Sequence, residues 1–69
     1  MLIGKITRNA KQRVLVTIED RKGTKVVDVR AYQIINDEGE LASTAEGIAL
    51  APEMIETLIG LLREAQKKL

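Results

Sequence analysis

The chain reads as an α+β protein, with strands first and one helix last. Three observations predict this. Val14, Val16 and Ile18 alternate with Leu15, Thr17 and Glu19, and Val27, Val29 and Ala31 alternate with Asp28, Arg30 and Tyr32. That is the period-two pattern of strands. Two polar segments ending in glycine, Asp20-Arg21-Lys22-Gly23 and Asn36-Asp37-Glu38-Gly39, mark turns. Beyond Pro52 the apolar spacing becomes helical and stays so to Lys68.

Leu2 to about Arg8 reads as the first strand, with Asn9-Ala10 as a turn. Arg13–Glu19 is the second strand and Lys25–Ile35 the third. A short fourth strand fits between Glu40 and Leu50, with irregular backbone around Ser43 to Gly47. Gly23, Gly39 and Gly47 read as positions of unusual dihedral angle. Pro52 suits the first helical position, where a missing N–H costs nothing. Glu53 and Glu56 lie near the positive end of the helix dipole, and Lys67 and Lys68 near the negative end. Glu64 precedes Lys68 by four residues, the favourable order for an ion pair.

Composition narrows the function. A chain of 69 residues is expected to form a single domain over residues 1–69. So small a core is marginal alone, and small folds usually add a disulfide, a metal or a partner subunit. The sequence has no Cys and no His. Disulfides are excluded, the commonest zinc ligands are missing, and catalysis loses its usual nucleophiles and bases. Neither an enzyme nor a cofactor or metal site is expected. Asp37, Glu38 and Glu40 lack the spacing of a calcium loop and read as a solvated turn. No Gly-rich phosphate loop followed by Lys occurs. No apolar run approaches the roughly 20 residues of a membrane span, and Lys5 interrupts the first apolar residues, so an intracellular location is expected.

Association is the remaining way to complete the core, most simply as a two-fold homodimer. Met54, Leu58, Leu61 and Ala65 form one stripe of the helix, which Ile55, Ile59 and Leu62 broaden. Such a band is wide for a helix covering one sheet. Met54, Leu58, Leu61, Leu62 and Ala65 are the expected dimer contacts; the alternative is that all cover the protomer's own sheet.

The net charge of +1 conceals an asymmetry. Residues 1–35 hold eight basic and three acidic side chains, and residues 36–69 hold three basic and seven acidic ones. A basic front half suits a polyanion, although Lys and Arg also protect sheet edges from pairing.

The words Arg21-Lys22-Gly23, Val27-Asp28-Val29-Arg30-Ala31-Tyr32, Glu38-Gly39-Glu40 and Gly47-Ile48-Ala49-Leu50-Ala51-Pro52-Glu53 follow one another in this order. Together they resemble the positive-cofactor-four family of transcriptional coactivators. The resemblance covers nearly the whole chain. It implies an antiparallel four-stranded sheet, one long C-terminal helix, a helix-mediated homodimer and binding of single-stranded DNA. The absent serine- and lysine-rich tail suggests a minimal bacterial, phage or organellar relative.

The chain departs from that pattern where nucleic acid is touched. Arg21 replaces an aromatic, Gln33 a Trp, Glu46 a Lys and Thr24 a second Lys, and Ile6 to Gln12 contains an insertion. Tyr32 is the sole aromatic and reads as a core or interface residue. Lys11, Arg13, Arg21, Lys22, Lys25, Arg30 and Gln33 are the expected nucleic-acid contacts. Arg21 and Arg30 can stack as guanidinium planes, and Gln33 can bond a base edge. The alternative for Arg30 is a salt bridge to Asp28 or Glu19. With little stacking available, phosphate contacts should dominate, so binding should be salt-sensitive and sequence-tolerant. The process served would be transcription, replication, recombination or repair. Two alternatives remain open: a dimeric protein-interaction module, and RNA binding.

Overall fold

The strands end where alternation stops. In the computed structural model, which describes residues 1–69, β1 is Leu2–Asn9, β2 Gln12–Arg21, β3 Thr24–Ile34, β4 Leu41–Leu50, and α1 is Pro52–Lys67. They form one antiparallel sheet in the order β1-β2-β3-β4, so β1 and β4 are its edges. The β2–β3 hairpin turns on only Lys22 and Gly23, both at positive φ (54° and 83°). Two consecutive left-handed residues give a turn whose twist matches the strands. Asp20 Oδ1 accepts the Gly23 N–H at 2.9 Å and braces it. Gly39 also has positive φ (82°), as its place in a turn requires.

Gly47 differs from the expectation. Its φ is not in the left-handed region; its constraint is crowding. A Cβ there would stand 2.8 Å from Arg30 Cβ, Arg30 Cγ and the Val29 carbonyl oxygen. Glycine is present because the Arg30 side chain crosses this spot.

The β2–β3 register is unbroken from Gln12 opposite Gln33 to Arg21 opposite Thr24. The edge strands are bulged. In β1, Ile3 and Arg8 fall at register shifts. In β4, Thr44, Ala45 and Glu46 occupy the interval opposite Ala31, the irregularity expected between Ser43 and Gly47. Bulges bend a strand and re-aim its side chains.

Residues opposite one another in register share a face. One face therefore carries Ile6, Val14, Val16, Ile18, Val27, Val29, Ala31, Ile48 and Leu50. The other carries Lys5, Arg13, Leu15, Thr17, Glu19, Arg21, Asp28, Arg30 and Tyr32. On the apolar face only Ala31 and Leu50 are buried, while Ile6 and Ile48 are exposed.

Helix α1 begins at Pro52 after an extended Ala51 and ends with Lys67 in its last turn. The expected Glu64–Lys68 pair forms at 3.7 Å, beside Glu64–Lys67 at 3.9 Å. No helical residue is buried. Ile55 and Leu58 are half-buried, whereas Met54, Leu61, Leu62 and Ala65 are exposed. The helix approaches the sheet chiefly at β3. The radius of gyration is 13.7 Å, against about 11 Å for a compact chain of this length. The helix and the apolar face are thus left largely uncovered by the protomer itself. No helix is long and apolar enough to cross a membrane.

Candidate nucleic-acid interface

The polar face is built around Asp28, the one buried charged residue, with 2% of its surface exposed. Arg30 grips it with two parallel bonds, Nε to Oδ2 at 3.0 Å and Nη2 to Oδ1 at 3.1 Å. Arg30 Nη1 donates to the Thr44 carbonyl at 3.0 Å, which ties the guanidinium to the β4 bulge. Thr44 Oγ1 in turn donates to the Ala31 carbonyl at 2.8 Å. Hydrogen bonding to Asp28 raises the Arg30 pKa, and this outweighs the desolvation that lowers it; the charges of Asp28, Tyr32 and Glu19 also raise it.

Arg21 reaches the same cluster more loosely, 3.8 Å from Asp28 and 3.9 Å from Glu19. Thr17, opposite Asp28 in register, has a buried hydroxyl with no hydrogen-bond partner. Both alternatives for Arg30 meet here. It is engaged by Asp28, yet three of its five N–H groups are used, so two remain for a ligand.

The seven residues expected to bind nucleic acid do not share one surface. Arg13, Arg21 and Arg30 lie on the polar face. Arg13 folds back over its own hairpin, with Nη1 donating to the Asn9 and Gln12 carbonyls at 2.8 and 2.9 Å. Lys22 tips the β2–β3 turn, and Lys11 lies in the β1–β2 turn at the opposite end of the sheet. Lys25 and Gln33 correct the expected grouping. Period two puts them on the face of Val27 and Ala31, with Lys25 opposite Asp20 and Gln33 opposite Gln12.

The structure adds two basic residues that sequence reading missed. Lys5 shares a register row with Leu15, Arg30 and Gly47. Period-two counting along β1 finds it once the β1–β2 register is known. Arg8 leaves β1 at a bulge and bonds Glu46 across the sheet at 2.9 Å. No local sequence signal announces that pair, which joins residues 38 apart. Counting Lys5, Arg13, Arg21 and Arg30 against Glu19 and Asp28, the polar face carries a net +2.

Asp37, Glu38 and Glu40 form a turn organised by Asn36. Its Oδ1 accepts the Glu38 and Glu40 N–H groups, and its Nδ2 donates to Glu40 Oε1 at 2.9 Å. No cluster of three potential metal-ligating side chains occurs.

A strands-first antiparallel sheet followed by one long helix, with the β-branched apolar side chains of β2 and β3 sorted mainly to one face, defines the class of this protein. Solved structures of that architecture match it along its length. The orthorhombic crystal form of BPSL1147, a PC4 homolog from Burkholderia pseudomallei, superposes with a TM-score of 0.92 at 26% identity, covering 100% of this chain and 92% of that one. The tetragonal form gives 0.88 at 29%, covering 96% of each. No protein-family model and no curated protein matches the sequence. The chain is a PC4-like family member, PC4 being positive cofactor four.

Proposed function

We propose that this protein is a homodimer that binds single-stranded DNA with little sequence preference, through the polar face of its sheet. The observation that carries this reading is the sorting of side chains in a PC4-like fold: four basic residues and no exposed apolar cluster on one face, an uncovered apolar surface on the other. Lys5, Arg13, Arg21 and Arg30 supply phosphate contacts, with Lys11 and Lys22 extending the track at either end. Phosphate contacts position a strand without reading its sequence. The role is binding rather than catalysis, inside the cell, in transcription regulation or in replication, recombination or repair.

Surface area supports the dimer. The chain exposes 5513 Å², against about 4,300 Å² for a folded monomer of its mass. The excess is about 1,200 Å² per chain, and two chains together match what obligate homodimers bury. The occupant of that surface is a second copy, with α1 meeting α1 through Met54, Leu58, Leu61, Leu62 and Ala65. Sedimentation equilibrium tests this directly, and a monomer at micromolar concentration sinks it.

The binding reading is tested by fluorescence anisotropy of a labelled single-stranded oligonucleotide at low and moderate salt. Matched duplex and RNA serve as competitors. Saturable, salt-sensitive binding that prefers single-stranded DNA supports it. Preference for RNA reassigns the ligand, since the 2′-OH separates the two. A second reading draws on Asp28 and Glu19, which neutralise half of the basic charge on the polar face. Under that reading the dimer is a protein-interaction module, and no oligonucleotide binding is seen even at low salt.

A further inference from the structure

Arg21 and Arg30 approach the same oxygen atom from two strands. Arg30 Nη2 donates to Asp28 Oδ1 at 3.1 Å, and Arg21 Nη2 stands 3.8 Å from that atom. Arg21 ends β2 and Arg30 lies within β3, and the register puts both on the polar face with Glu19 and Asp28. The two guanidinium groups are therefore neighbours, within reach of the oxygens of a single phosphate. Asp28 lies beneath them, with a side chain only 3% exposed and both oxygens bonded by Arg30.

The two arginines are held very differently. Arg30 is 21% exposed and makes three hydrogen bonds. Arg21 is 53% exposed and makes none, because Asp28 Oδ1 and Glu19 Oε2, at 3.8 and 3.9 Å, lie beyond hydrogen-bond length. All five of its N–H groups are free. Glu19 is 42% exposed, and Arg21 is its one ion-pair partner. An exposed pair of this kind is worth at most about fivefold in an equilibrium constant, so a second anion competes readily for the guanidinium. Nor does Asp28 need Arg21: with Arg30 in place, departure of Arg21 strands no buried charge. Arg21, Arg30, Asp28 and Glu19 together carry no net charge, and without Glu19 the group is cationic.

We propose that Arg21 and Arg30, gathered around Asp28, form a phosphate-binding subsite on the polar face, and that Glu19 holds Arg21 back from it in the free protein. Arg30 is the fixed half of the subsite and Arg21 the movable half. Glu19 thereby sets the strength of polyanion binding. This deepens the DNA-binding reading and rests on it for the identity of the polyanion.

The test is a double-mutant cycle, Glu19→Gln, Arg21→Ala and both, read by oligonucleotide anisotropy across a salt series. Glu38→Gln, on the β3–β4 turn, controls for the loss of one negative charge. Glu19→Gln is expected to bind about threefold to fivefold tighter at low salt, and Glu38→Gln like the wild type. Adding Arg21→Ala to Glu19→Gln abolishes the gain and flattens the log–log salt slope by about 0.7, one phosphate on a single strand. A gain that persists without Arg21, or that Glu38→Gln reproduces, overturns the subsite, because charge alone then explains it; so does no gain at all. Inorganic pyrophosphate is titrated in parallel, observing the Arg21 and Arg30 Nε resonances by NMR. If neither the wild type nor Glu19→Gln binds oligonucleotide, the DNA-binding reading fails. The subsite then stands if pyrophosphate shifts both resonances in Glu19→Gln, and falls if it shifts one or neither.

Discussion

The two faces of the sheet differ in a direction opposite to ordinary expectation: the charged one is sealed and the apolar one is open. On the polar face Asp28 and Leu15 are buried. On the apolar face Val14, Val16, Ile18, Val27 and Val29 are only half-buried, and Ile6 and Ile48 are exposed. The reason lies in side-chain length and pairing. Lys5 and Arg30 flank Leu15 in register, and such stems cover apolar neighbours while keeping their charges hydrated. Asp28 tolerates burial because Arg30 satisfies both its oxygens. Short β-branched residues cannot cover one another, so the apolar face needs another layer of structure. The comparison teaches that a single chain completes one surface and leaves the other open, the side that the proposed association would cover.

The largest effect should come from the open side. Leu61 is 63% exposed, so in a monomer Leu61→Asp should change stability by no more than about 0.5 kcal/mol. In the proposed dimer it should cost at least about 2 kcal/mol and shift the protein to monomer or unfolded chain. Sedimentation and thermal melting at several concentrations read the outcome, and a folded, unaltered oligomer breaks the comparison. Gly47→Ala attacks the sealed side. The new methyl must displace Arg30 or the Val29 carbonyl, which should cost about 1–3 kcal/mol in chemical denaturation. A melt identical to the wild type means that the Arg30 crossing is not rigid.

The triple change Arg13→Ala, Lys22→Ala and Arg30→Ala sharpens the division of labour. Oligonucleotide affinity should fall and the salt slope flatten by about 2, with the oligomer intact. Unchanged binding at low salt shows that the contacts lie elsewhere. Protonation should matter less. The raised Arg30 pKa means that its stabilisation is fully present below the ordinary guanidinium value and is lost only as pH rises through the higher folded-state value. The Arg30 contribution should therefore be flat between about pH 6 and pH 9, and a slope that disappears in Arg30→Ala contradicts this. The smallest effect belongs to Glu64→Gln on α1, which removes two solvent-exposed pairs and should cost about 0.5 kcal/mol or less.

The sequence by itself determined the α+β order, the alternating faces of β2 and β3, the Lys22-Gly23 and Asn36–Gly39 turns, the irregularity of β4 and the limits of α1. Each is a local property, set by period, turn chemistry or a helix end within a few residues. Only the tertiary structure decided the rest. It moved the reason for Gly47 from backbone conformation to the crossing of Arg30, put Lys25 and Gln33 on the apolar face, set Lys5 in the row of Arg30, and joined Arg8 to Glu46. These facts depend on strand register and on bulges at the two edges. Register is a cooperative property of paired strands, and an inserted residue in one of them re-aims side chains that no local pattern connects.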